Sequence, residues 1–300
     1  MDAIILKYKD TSMGQPITCT RDYGECTVGN KTLRERISSQ IKLHDLNLID
    51  KETENNNDLR LYVYDNSYLG LHFKDIDMSR PQLLTSIEKQ VLGCITTNIN
   101  TLPESKTIIE DAFSILYPWD LLKANKQILD SIEKNELSGS VAQNCTINGN
   151  IILGADSNLL PGVFIEGNIV IGKNCKIGPN CYLRGGTSIG DNCHIGQAVE
   201  IKNSIIMQNS SIGHLSYVGD SVIGSNVNMG AGTITSNLRH DGKNHKSVVN
   251  EKLIETGRRK LGTILGDNVH TGIHCGFYPA RKMWPGKATL PGEIVKKDIK

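Results

Sequence analysis

Arg184 and Lys202 stand 18 residues apart, each directly after an aliphatic residue, with Glu200, His214, Tyr217 and Asn228 close by in the chain. An imidazole takes up a proton near neutral pH, so His214 is a candidate general base. Two cations at a fixed spacing are a candidate grip on a phosphate or a phosphorylated sugar, because an anion relieves the repulsion between stacked like charges. The competing reading is that both long side chains splay into water. Between Asn237 and Lys260 come Arg239, His240, Lys243, His245, Lys246, Lys252, Arg258, Arg259 and Lys260, offset by Asp241, Glu251 and Glu255. That stretch reads as either a solvated basic loop or a lid over an anionic substrate. Arg281 and Lys282, with Lys296 and Lys297, could hold the pyrophosphate or 3′-phosphate of a coenzyme, or simply face solvent.

The element that must position these residues is a repeat. Ile165, Ile171, Ile177, Leu183, Ile189, Ile195, Ile201 and Met207 follow one another at intervals of six. Four residues after each comes a small or β-branched one, as at Cys175, Cys181, Thr187, Cys193 and Val199. A chain turning by about 120° per hexad returns above itself after three hexads, with strands about 4.8 Å apart. The pattern predicts a parallel β-helix in which Arg184 and Lys202 stack on successive coils. Cys145, Cys175, Cys181 and Cys193 then point inward as small hydrophobes, and no CxxC pair marks a metal site. The register slips where Met207 to Ile212 and Val218 to Ile223 are five apart. From 235 to 263 the pattern is lost, which predicts an inserted loop where a solenoid carries function.

Residues 1–110 show no such period. MDAIIL and LRLYVY read as strands, TLRERISSQIKL as an amphipathic helix and 51–58 as a polar loop, together a small α/β domain. A linking segment, 111–138, holds a helix expected over 118–135, with Pro118 in its first turn and Leu121, Leu122, Ile128, Leu129 and Ile132 as its apolar stripe. The β-helix domain is expected over 139–300. The chain is therefore read as mainly β.

Composition narrows the partners. Lys+Arg number 33 against 32 Asp+Glu, a formal net charge of +1, too balanced for wrapping nucleic acid or coating an anionic membrane. Two Trp and four Phe show no interleaving with basic residues, so no nucleic-acid module is expected. No apolar run of about 18 residues and no leader-like start is seen, so the expectation is a cytoplasmic protein without a membrane span.

The segment VEIKNSIIMQNSSIGHLSYVGDSVIGSNVNMGAGTITSNLRHDGKNHKSV, 199–248, resembles the acetyltransferase half of the bifunctional sugar-1-phosphate nucleotidylyltransferase/glucosamine-1-phosphate N-acetyltransferase family. TGRRKLGTILGDNVHTGIHCGFYPARK is similar to its archaeal-type members, and the resemblance extends over 118–298. It implies a left-handed β-helix, against the usual right-handed crossover. It also implies a homotrimer with active sites between subunits, which moves acetyl from acetyl-CoA to the amine of glucosamine 1-phosphate or galactosamine 1-phosphate and so feeds nucleotide-sugar synthesis. By the same resemblance His214 is the general base and Tyr217 is a substrate contact; Glu200, near His214 in the chain, is the group expected to orient the imidazole. Arg184 and Lys202 grip the sugar phosphate, Asn228 and Asn237 surround the acceptor, and Lys243 and Lys246 are the loop lysines. Ala231 falls where the backbone meets the acyl end of the coenzyme. Leu238 departs from the bacterial NYDG pattern, which leaves the preferred sugar open.

The front half departs further. AIIL is followed by KYKDTSMGQPITCTRDYG, without the Gly-rich loop that cradles a triphosphate. Residues 1–110 are therefore read as a reduced nucleotidyltransferase-like remnant, and Mg²⁺ would enter only if nucleotidyl transfer survives. Two other functions stay open: an acyltransferase acting on a nucleotide-linked amino sugar, and a non-catalytic scaffold that binds sugar phosphates.

Overall fold

The computed structural model describes residues 1–50 and 58–300, so most of the polar stretch expected at 51–58 lies outside the described residues. The chain forms two compact units. One comprises Met1–Thr11, Arg21–Cys26 and Lys31–Leu116; the other comprises Ser12–Thr20, Thr27–Asn30 and Tyr117–Lys300. The helix expected to link two parts, and two short segments near the start of the chain, thus fall with the coils.

In the first unit a six-stranded sheet runs in the order Asn47–Leu48, Asp2–Leu6, Arg60–Tyr64, Val91–Thr96, Gln82–Ser86, Lys106–Ile109. Helix α1, Leu33–Lys42, starts at a capping box in which Thr32 and Glu35 satisfy each other's backbone N–H. Its buried face, Ile37 and Ile41, packs with Ala3, Leu61, Val63 and Leu84 of the sheet. Both expected strands and the expected helix are present.

In the second unit helix α2 runs Pro118–Asp130, with Pro118 in its first turn and the Tyr117 N–H bonded to Asp120 at 2.8 Å. It ends five residues before the expected boundary. Its most buried polar residue is one that the apolar stripe does not show. Asn125 accepts the Gly29 N–H and donates to the Gly186 carbonyl, both at 2.7 Å.

The coils form a left-handed parallel β-helix of about 9 turns. Its three sheets have eight, six and eight strands. The first face includes Thr187–Ile189, Ile205–Ile206 and Val222–Ile223; the second includes His194–Ile195, Ser211–Ile212 and Asn228–Met229; the third includes Tyr182–Arg184, Glu200–Lys202 and Tyr217–Gly219. Cys175, Cys181 and Cys193 face the core among the repeating Ile and Leu, as expected. Cys145 also packs against this core, but at the start of the coils it is only partly buried, with its thiol donating to the Leu160 carbonyl.

The first register slip lies earlier than the Met207–Ile212 interval, whereas the second falls within the expected Val218–Ile223 interval. Tyr182 pairs with Glu200, 18 residues on, whereas Ile189 pairs with Ile206 and Glu200 with Tyr217, each 17 on. One residue is missing from the corner at Asn203–Ser204, and again at Asp220–Ser221. Ile206, not Met207, takes the core position, and two adjacent buried apolar residues hide this in the sequence. Asn203 and Asp220 make the tighter turns in the left-handed region, at φ 45° and 50°. Asn and Asp tolerate that conformation better than most residues.

The segment expected as an open loop, 235–263, carries structure of its own. Lys246–Val249 and Lys252–Glu255 form an antiparallel hairpin, and Leu238 bridges Lys260. Among the described residues no helix is long and apolar enough to cross a membrane.

Candidate active site on the third face

Strand pairing builds two columns on the third face. Tyr182, Glu200 and Tyr217 form one; Glu166, Arg184, Lys202 and Gly219 form the other. The expected stacking of Arg184 on Lys202 is present. Arg184 does not stand unpartnered, however. Its guanidinium donates to Glu200 at 3.1 Å, lies 3.8 Å from Glu166, and covers the Tyr182 ring at 5.3 Å from the centroid.

Lys202 has a different neighbour. Burial, followed by the neighbouring Lys260 cation, holds its ammonium below the usual lysine range, with Asp220 acting in the opposite sense. Two adjacent ammoniums disfavour each other's charge, and an anion placed between them removes that penalty.

Beside this pair lies a hydrogen-bonded chain created by the shortened corners. The carboxylate of Asp220, a buried residue, accepts from the Asn203 amide at 2.6 Å and from the Asn237 amide at 2.7 Å. Asn237 Nδ2 also donates to the Tyr217 hydroxyl oxygen at 3.1 Å, leaving the phenolic O–H itself free to donate elsewhere. Burial, then Asp220 and Glu200, raise the Tyr217 phenol above its ordinary range, so it stays protonated. Gly219 makes room for this arrangement, since a Cβ there would collide with the Tyr217 ring and come 2.8 Å from the Asn237 amide.

His214 occupies the corner that leads into the third face. At that corner Gln197, His214 and Ala231 follow one another on successive coils. The Leu215 N–H bonds to the Gln197 carbonyl and the Gly232 N–H to the His214 carbonyl, at 3.0 and 2.7 Å. The imidazole Nδ1 accepts the Gln197 N–H at 3.1 Å, so the neutral ring carries its proton on Nε2. The hydrogen bond of the ring is to this amide and not to Glu200, the expected orienting group, which bonds Arg184 instead. His194 lies close enough for its own proton affinity to be lowered, by burial first, then by Lys176 and His214.

The remaining expected residues are more scattered. Asn237 joins the third-face group, whereas Asn228 lies on the second face, paired with Ser211 and bridged to His270. Lys246 is bonded to Glu255 across the hairpin at 2.8 Å, and Lys243 borders a cavity with Arg239, Asn244 and Lys246. Arg281 donates to the Pro279 carbonyl. Lys282 is not the surface cation that a coenzyme phosphate would meet: it is 2% exposed, donates to the Val248 carbonyl and lies against the Trp284 ring. Among the described residues no group of three or more His, Cys, Asp or Glu is arranged to hold a metal ion.

Comparison with known proteins bears on this same half. The family described as GMPPB C-terminal domain matches residues 165–277. The bifunctional sugar-1-phosphate nucleotidylyltransferase/acetyltransferase of Sulfurisphaera tokodaii is 42% identical over 182 residues, which is 61% of this chain and 45% of that protein. A bifunctional GlmU protein of Methanococcus maripaludis strain C7 is 50% identical over 183 residues, 61% of this chain and 44% of that one. Over its C-terminal half the chain is homologous to these bifunctional GlmU-type proteins. It spans less than half the length of the relatives it matches. Among solved structures, the acetyltransferase domain of PglB from Neisseria gonorrhoeae FA1090 covers 67% of this chain and 68% of its own at 12% identity, with a TM-score of 0.26. That likeness is too distant to bear on the site.

Within the GlmU-homologous half, the sequence reading passed over Asp220, Asn203 and Glu166 and left Lys260 as one basic loop residue among nine. Asp220 closes the GHLSYVGD motif and occupies the second five-residue interval, a signal that was available. The position of Lys260 follows from its bridge to Leu238, which composition does not reveal.

Proposed function

We propose that the solenoid half transfers acetyl from acetyl-CoA to the amine of a hexosamine 1-phosphate, of gluco or galacto configuration. The observation that carries this reading is the stacking of Arg184 on Lys202, with Lys260 as a third nearby cation, on the face that also bears the hydroxyl of Tyr217 and the amide of Asn237. Two half-buried cations with an exposed third beside them suit a dianionic phosphate, and the neighbouring neutral groups suit a sugar's hydroxyls and amine.

In this reading the two lysines and Arg184 hold the phosphate, while the Tyr217 O–H donates to a sugar oxygen. The amine nitrogen attacks the thioester carbonyl carbon, the C–S bond breaks, and the coenzyme leaves as the thiolate. The proton lost by the amine passes to His214. Because Nδ1 is engaged by Gln197, the ring acts as an acceptor after it turns away from that amide. Backbone N–H groups near Ala231, one coil further along the same corner, steady the developing oxyanion. A homotrimer in which a neighbouring copy completes each site, and the coenzyme assignment to Ala231 and Arg281, belong to the same proposal.

For residues 1–110 we propose a reduced nucleotidyltransferase-like domain that no longer supports nucleotidyl transfer, given the missing Gly-rich loop. Incubation with acetyl-CoA and each hexosamine 1-phosphate, followed by mass analysis, should give the N-acetylated sugar phosphate. Acceptors recovered unchanged, all of them, would overturn the assignment.

A further inference from the structure

The solenoid shortens its coil by one residue at two corners, and both shortened corners supply a side chain to one chain of hydrogen bonds. Asn203 and Asp220 sit at those corners in left-handed conformations, and Asn237 lies one coil on. The Asp220 carboxylate is the centre of the chain, with Oδ1 accepting from Asn203 and Oδ2 from Asn237. An 18-residue coil, as at Gly185–Gly186, places glycines where these side chains project, and a Cβ at 186 would lie 2.6 Å from the Asn203 Oδ1.

Building on the acetyltransferase reading above, we propose that Asp220 is a positioning residue: it fixes which way the Asn237 amide faces and it limits the positive charge of the Lys202–Lys260 pair. The first part follows from donor and acceptor roles. A carboxylate accepts only, so Asn237 must turn its NH₂ toward Asp220 and Tyr217 and its oxygen away from them. The Tyr217 oxygen, already accepting from that NH₂, presents its hydrogen outward. An amide at 220 can donate as well as accept, so the Asn237 amide is free to reverse and the Tyr217 hydrogen is no longer committed. The second part follows from position and charge: the Asp220 N–H bonds the Lys202 carbonyl at 2.9 Å, which sets an anionic residue against the strand end that carries Lys202, and its charge opposes those of Lys260 and Arg184. Removing its charge leaves the cation group more positive.

These two consequences have opposite signs in an experiment, which separates them from mere loss of structure. Wild type, Asp220→Asn and Asn203→Ala are compared in binding of inorganic phosphate by calorimetry and in kcat and KM for glucosamine 1-phosphate. Asn203→Ala removes one hydrogen bond to Asp220 and strains the left-handed turn at 203, but leaves the Asp220 charge and its link to Asn237 in place. For Asp220→Asn, phosphate binding should tighten about three- to tenfold, while kcat falls at least about tenfold without a rise in KM. For Asn203→Ala both should stay within about twofold. Weaker or unchanged phosphate binding by Asp220→Asn, an unchanged kcat, or an equal loss of kcat in Asn203→Ala overturns the inference. If Asp220→Asn does not fold, Asp220→Ser carries the same readouts, and failure of both to fold assigns Asp220 a purely structural role. If the wild type acetylates no sugar phosphate, the functional proposal falls and the phosphate measurement alone decides the role of Asp220.

Discussion

Lys260, bridged to Leu238 on the return arm of the inserted segment, comes near enough to Lys202 on the third face of the solenoid to join burial, the larger cause, in holding the Lys202 ammonium below the usual lysine range. The approach joins a residue of the regular repeat to one of the interruption, and it sets the half-buried Lys202 beside the exposed Lys260. Lys260→Ala should therefore raise KM for a hexosamine 1-phosphate about tenfold, the loss of one charge-assisted contact. In the proposed site the lysine meets the phosphate and not the reacting amine, so kcat should change little, and steady-state kinetics with saturating acetyl-CoA separates the two.

The pH dependence of binding follows from the depressed proton affinity of Lys202. Its folded pKa lies below that of an unfolded lysine, so the unfolded chain holds the proton more tightly. Protonated Lys202 thus costs the fold stability at all pH below the folded value, and the cost fades as pH rises through it. A bound phosphate favours the ammonium and reverses the shift. Phosphate affinity should be highest below the depressed pKa and should fall as pH is raised through it, with proton uptake on binding in that window; calorimetry in buffers of different ionisation enthalpy measures both.

His214→Ala should lower kcat by about 10² or more, the usual contribution of a general base, with the oligomeric state unchanged by sedimentation. Gly196 is the companion test: a Cβ at that position would lie 3.0 Å from both the His214 backbone nitrogen and its Nδ1, so Gly196→Ala should disturb the ring and reduce kcat while leaving KM for the sugar phosphate nearly unaltered.

At Gly219 the clash is with the movable end of a side chain, the Tyr217 ring, and with the Asn237 amide. Gly219→Ala should turn Tyr217 out of its place. The expected result is a loss of activity of about tenfold or more, with a melting temperature within a few degrees of wild type.

Asn125 tests the fold away from the site. Removing its amide leaves the Gly29 N–H and the Gly186 carbonyl without their partner, so Asn125→Ala should destabilise the chain by about 2–4 kcal/mol, as measured by chemical denaturation.

The solenoid was legible because a strict period needs no tertiary information: an aliphatic residue every six and a small one four later determine which side chains face inward. The pairing of Arg184 with Lys202 followed from arithmetic on that period. What the spacing misplaced was the first of the two slips, since Ile205, Ile206 and Met207 are all buried and any of them could continue the pattern. The partners of the site residues were not legible. Arg184 meets Glu166 and Glu200 through side-chain reach, Lys246 meets Glu255 through a hairpin within an apparent loop, and Lys282 is buried despite its charge. Each depends on contacts between distant residues, which type and spacing along the chain do not determine.

Release of free thiol from acetyl-CoA, followed with glucosamine 1-phosphate, galactosamine 1-phosphate and unphosphorylated glucosamine in parallel, tests the central claim most directly. Thiol should appear in step with acetylated product for a phosphorylated sugar, and far more slowly for glucosamine, with Lys202→Ala erasing most of that difference. Equal rates with and without the phosphate, or thiol release that no acceptor accelerates, would contradict the account.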